Sequence, residues 1–70
     1  MKYAVVFEKA PRNYAAYVPD LPGCIATGRT REVVERRIRE ALQLYVEELR
    51  KDKLPVPKPI TWAEVVDIPA

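Results

Sequence analysis

Seventy residues make one domain, 1–70, with a high surface-to-volume ratio and room for only a thin core. One cysteine and no histidine exclude an internal disulfide and remove the commonest zinc ligand, so no metal or cofactor is expected, and self-association into a dimer or tetramer is the remaining way to add buried surface. Twelve basic and ten acidic side chains give a net charge of +2 and are interleaved along the chain, which argues against direct nucleic-acid binding as the main role.

The apolar run Ala4 to Phe7 is too brief for a secretory signal or a membrane span, and a lone cysteine fits a reducing cytoplasm. Across Lys2 to Lys9, Tyr3, Val5 and Phe7 alternate with Ala4, Val6 and Glu8, the period of a strand. Ala10-Pro11-Arg12-Asn13 supplies turn residues, and Tyr14 to Val18 a second strand, which completes a hairpin. Pro19-Asp20-Leu21-Pro22-Gly23 cannot continue a ladder, because both prolines lack a donor, and Cys24 to Gly28 then forms a third strand.

Thr30 is an N-cap, and apolar residues recur at Val34, Ile38, Ala41, Leu42, Tyr45 and Leu49 with helical spacing, so an amphipathic helix is predicted to run to about Leu54. Pro55, Pro57 and Pro59 make a stiff, extended connector, and Trp62 to Ile68 is predicted to return as a final strand through Val65, Val66 and Ile68. These elements give an α+β fold of βββαβ order, with one helix on one face of an antiparallel sheet. The other face is expected to carry part of the set Tyr3, Tyr14 and Tyr17, which a dimer would cover.

Little in this chain resembles catalytic machinery. Glu8 and Asp67 would meet only if the first and last strands paired, and surface carboxylates are usually solvated. Cys24 has no imidazole to generate its thiolate and reads as a small core residue. Asp20, between two prolines, is either a partner contact or a turn residue closing on its own backbone. Trp62 and the tyrosines, flanked by Lys2, Lys9 and Arg12, leave an RNA-binding face as the alternative.

The run Pro19-Asp20-Leu21-Pro22-Gly23-Cys24, then Gly28-Arg29-Thr30, Arg39-Glu40-Ala41-Leu42 and Leu54-Pro55-Val56-Pro57, resembles the HicB-like antitoxins over nearly the whole chain. That resemblance implies a partial ribonuclease-H-like fold without the catalytic acids. It also implies a non-enzymatic role, masking the active site of a small messenger-RNA-cleaving toxin of the HicA type. By analogy the toxin contact is placed on Asp20, Leu21, Pro22 and Gly23 and on the exposed helix face, with the opposite sheet face and an edge strand left for a homo-oligomer. Two departures stand out. Val33-Val34 replaces the family's usual glutamate and alanine, removing the reciprocal half of a capping box, and no room is expected after Pro59 for the DNA-binding segment that longer relatives add.

Overall fold

Two antiparallel pairings build the sheet in the computed structural model, which describes residues 1–69. Strand β1 (Val6–Lys9) pairs with β2 (Tyr14–Tyr17), which pairs with β3 (Ile25–Gly28), in the order β1-β2-β3. Phe7 faces Ala16 and Ala16 faces Ala26, so period-two alternation puts these three on one face and Val6, Tyr17 and Ile25 on the other. Helix α1 (Arg31–Lys51) lies across the first of these faces, over β3 and β2. The α+β architecture follows the predicted order through the helix.

The Thr30 hydroxyl accepts a hydrogen bond from the Val33 amide at 3.1 Å and starts α1 where expected. At the end of β3, a β-carbon on Gly28 would lie 2.9 Å from Val33 Cγ1 and 3.0 Å from the Val34 amide nitrogen, so only glycine lets the strand end meet the helix's first turn. The core is small: Ala16, Val18, Leu21, Cys24, Val34 and Ile38 are buried, with Tyr3, Val5, Tyr14, Ala41, Leu42, Tyr45 and Val46 packed partly against them. Tyr3 and Tyr14 thus belong to the helix side, and only Tyr17 of the three tyrosines faces outward, because Tyr14 shares its strand parity with Ala16. Phe7 also points to the helix side, yet it is exposed because α1 does not reach across to β1.

The helix closes on an αL residue. The Lys53 amide donates to the Arg50 carbonyl at 3.1 Å and the Leu54 amide to the Leu49 carbonyl at 2.8 Å, with Lys53 at φ 56°. A side chain in that region costs about 1 kcal/mol, so Lys53→Gly is expected to stabilise the protein by roughly 0.5–1 kcal/mol. A rise in the urea midpoint at unchanged slope would register the gain; no change would mean that Lys53 carries no strain.

The predicted final strand does not form. After Leu54 the described residues hold no helix or strand, and Trp62, Val65, Val66 and Ile68 are solvent-exposed. Local β-propensity is present there, but a strand also needs a neighbouring edge, and among the described residues this segment is paired with neither edge of the β1-β2-β3 sheet. Glu8 and Asp67 are consequently not brought into register, since β1 gains no fourth partner strand.

Candidate partner-binding site

The connection from Val18 to Cys24 is tied both to α1 and to the C-terminal segment. Within it, the Val18 amide donates to the Cys24 carbonyl at 3.1 Å, the Leu21 amide to the Val18 carbonyl at 3.0 Å, and the Cys24 amide to the Leu21 carbonyl at 3.0 Å. Gly23 sits at φ 83°, a left-handed conformation that permits the reversal, and a β-carbon there would touch nothing within 4 Å. The Tyr45 hydroxyl donates to the Pro22 carbonyl at 2.9 Å and pins the loop to α1.

Asp20 has a role that its local sequence does not signal. Its Oδ2 accepts from the Ile60 and Thr61 amides, both at 3.0 Å, and its Oδ1 accepts from the Thr61 hydroxyl at 2.7 Å. The carboxylate therefore caps a segment 40 residues downstream, in the way an N-cap aspartate takes free amides. The Thr61 hydroxyl, assisted by the Thr61 and Ile60 amides, holds the Asp20 carboxyl below its ordinary value against the opposing effect of desolvation. Nearby, the Tyr3 hydroxyl donates to the Pro57 carbonyl, so the proline-rich connector is held at two points. The only sequence signal was Thr61 itself, a hydroxyl directly after the proline run, and it is a weak one.

The four loop residues singled out from the sequence have different fates. Asp20 is half-buried under the C-terminal segment, Leu21 is 0% exposed at the centre of the core, and Pro22 and Gly23 face solvent. Cys24 is buried behind them, and burial pushes its thiol up, which keeps it protonated and unreactive.

Beside the loop, a 460 Å³ groove opens between β3 and the second half of α1, with Gly23, Cys24, Ile25, Ala41, Leu44, Tyr45 and Leu49 on its walls. Ile25 and Leu44 stand 66% and 65% exposed at its mouth. Glu40, Glu47, Glu48 and Asp52 surround Leu44 along the helix, so an apolar centre carries an acidic rim. That arrangement suits a basic protein surface. Among the described residues there is no cluster of three metal-ligating side chains, and no helix long and apolar enough to cross a membrane.

Residues 3–70 match the family described as the HicB-like antitoxin of bacterial toxin–antitoxin systems. The chain belongs to that family. Its relatives include a UPF0150 protein of Thermoplasma acidophilum, 37% identical over 83% of this chain and 86% of that one. A UPF0150 protein of Helicobacter pylori is 43% identical over 70% of this chain and 68% of its own length. Antitoxin HicB 2 of Photorhabdus laumondii is 32% identical over the full span of this chain, which covers 51% of that longer protein. No solved structure matches. The HicB-like assignment accounts for the Pro-Asp-Leu-Pro-Gly-Cys run as structure: its leucine and cysteine are core, its glycine makes the reversal, and its aspartate holds the C-terminal segment.

Proposed function

We propose that this chain neutralises a small HicA-type messenger-RNA-cleaving toxin in the cytoplasm by covering the toxin's active-site face, and catalyses nothing itself. Family membership supplies the antitoxin role, and the observation that carries the proposed mode is the apolar mouth of Ile25 and Leu44 within its acidic rim. An enzyme that cleaves RNA needs a basic surface to hold phosphates, and an acidic rim around a hydrophobic anchor competes for that surface. The contact would extend onto the adjoining loop through Pro22, Gly23 and the outer side of Asp20, with Leu21 as the loop's anchor in the core.

The same reading makes the chain a homo-oligomer, dimer or tetramer. Six buried side chains are a small core for an independent monomer, and the open sheet face leaves Tyr17 exposed. Light scattering at micromolar concentration tests it directly, and a stable monodisperse monomer would refute it.

For the toxin contact, the double variant Leu44→Arg, Glu48→Lys is expected to weaken the toxin complex by about 100-fold, a typical loss when an anchor and its rim charge are reversed. Both positions are on the helix exterior, so circular dichroism and thermal midpoint should stay close to wild type. Undiminished affinity would remove this face from the interface.

A second reading, an RNA-binding or vestigial nuclease-like domain, has one observation in its favour: Arg12, Arg29 and Arg37 line a common open cleft beside Asn13 and Gly28. Such a domain would bind RNA with an affinity that falls steeply between low and moderate salt. Binding of single-stranded RNA by wild type, lost in Arg12→Ala, Arg29→Ala, would support it over toxin masking.

A further inference from the structure

The C-terminal segment is the part of this molecule that its own chain leaves unfinished. Tyr3 and Asp20 hold it at Pro57, Ile60 and Thr61, and beyond those points Trp62, Val65, Val66 and Ile68 are 77%, 102%, 74% and 81% exposed. The Cα radius of gyration, 13.8 Å, exceeds the ~11 Å of a compact chain this long. The longest dimension is 49 Å against 27 and 15 Å. A large apolar arm projecting into water from a fixed base needs a partner surface.

We propose that the arm is exchanged between two copies of this chain, with residues 65–68 of each adding as a strand to the free edge of β1 in the other. Four observations select this occupant and this edge. The Val18 to Cys24 hydrogen bond fixes which backbone groups of β2 face β3, and by alternation along the register the amides and carbonyls of Phe7 and Lys9 point away from β2, into open space. The edge of β3 is less open, because the Arg37 guanidinium donates to the Thr27 carbonyl at 2.9 Å. On the helix side of β1, Phe7, Tyr14 and Val34 line a groove of 290 Å³ that also carries Lys9 and Arg31 against the single acid Glu8. The arm from Ile60 to Pro69 contains two acids, Glu64 and Asp67, and no base, so it carries −2. Residues 1–59 then hold twelve bases against eight acids, +4, and the charges of arm and body are complementary.

Strand alternation sets Val66 and Ile68 on one side of the arm together with Glu64, the combination that a groove of Phe7, Lys9 and Arg31 accepts. The four-residue stretch 65–68 equals the length of β1. Exchange supplies what the isolated chain lacks: a partner for the arm, a cover for Phe7 and an end to an exposed sheet edge. The arm is held at its base by Asp20, so the exit direction is set before the second copy arrives.

This inference rests only on the oligomeric part of the proposed function and needs no toxin. The experiment compares full-length wild type with Val66→Asp, Ile68→Asp by multi-angle light scattering and analytical ultracentrifugation. It also cross-links Phe7→Cys to Val66→Cys, in a Cys24→Ala background, between two copies of different tagged mass. Wild type is expected at twice the 8.0 kDa chain mass, the arm variant to raise the dimer dissociation constant at least about 100-fold, and the disulfide to join the two tagged species. A dimer that survives the arm variant unchanged would overturn the exchange while leaving oligomerisation intact. A monomeric wild type would overturn both. A cross-link confined within one chain would place the arm on its own β1 and overturn the exchange too.

Discussion

Leu21→Ala is expected to cost about 2–5 kcal/mol of folding free energy, the largest single effect of any substitution in the loop. The side chain is 0% exposed and packs among Ala16, Val18, Cys24, Val34 and Ile38, at the junction of sheet and helix. Removing three heavy atoms there forfeits their transfer energy and opens a cavity that a core of six residues has little means to fill. A domain of this size has roughly 3–10 kcal/mol in all, so the loss is a large fraction of the total. Urea denaturation followed by circular dichroism measures it, with Leu21→Met as a volume-conserving control that should stay within about 1.5 kcal/mol of wild type. A small shift for Leu21→Ala, together with a large loss of toxin affinity, would move Leu21 from the core to the interface.

The second large effect belongs to Asp20. Asp20→Ala removes the acceptor of three hydrogen bonds from Ile60 and Thr61, two of them from main-chain amides. The base of the arm is then held only through Tyr3, and hydrogen exchange at the Ile60 and Thr61 amides is expected to accelerate by more than about tenfold. The body should remain folded, because none of the six buried core residues depends on that carboxylate. Acidification should mimic the substitution. Docking lowers the Asp20 value, so the ionised form is the one that holds the arm. The hold is complete above the ordinary aspartate value of 3.8 and fades as pH falls through the depressed one. Trp62 fluorescence should therefore change at acid pH in wild type and stay flat in Asp20→Ala. Equal exchange rates in the two proteins would show that the arm is not fixed by Asp20.

These two residues illustrate which parts of the fold could be read in the sequence. The hairpin, the third strand and the helix were legible because each is encoded locally: alternation for strands, three-and-four spacing from Val34 to Tyr45 for the helix, and Thr30 as its cap. Cys24 as core was legible for the same reason, since no base stood near it. Leu21 was not, because a leucine between an aspartate and a proline in a loop gives no period from which burial can be inferred. By its sequence Asp20 is a turn residue or a partner contact, and the structure adds a third role, a long-range hold on the arm, that no short window displays. Lys53 was missed as an αL terminus because lysine carries no preference for that conformation. The final strand failed for a different reason. Its residues have the right propensity, but pairing depends on where tertiary contacts place a segment, and this one, held at Pro57, Ile60 and Thr61, lies along neither edge of the sheet.

The division of labour that emerges is economical for so short a chain. One loop completes the core through Leu21 and Cys24, reverses through Gly23, anchors to the helix through the Pro22 carbonyl and directs the arm through Asp20. The acidic helix face around Leu44 stays clear of all these duties, as does the arginine cleft at the opposite end of β3.

The most direct test of the proposed masking is a titration of RNA cleavage by a small HicA-type toxin, with wild-type protein as inhibitor. Cleavage is expected to fall to zero at a fixed stoichiometric ratio, and with toxin held far below the dissociation constant the Leu44→Arg, Glu48→Lys variant is expected to need about 100-fold more protein for half-inhibition. Full cleavage in the presence of excess folded wild type would contradict the masking account.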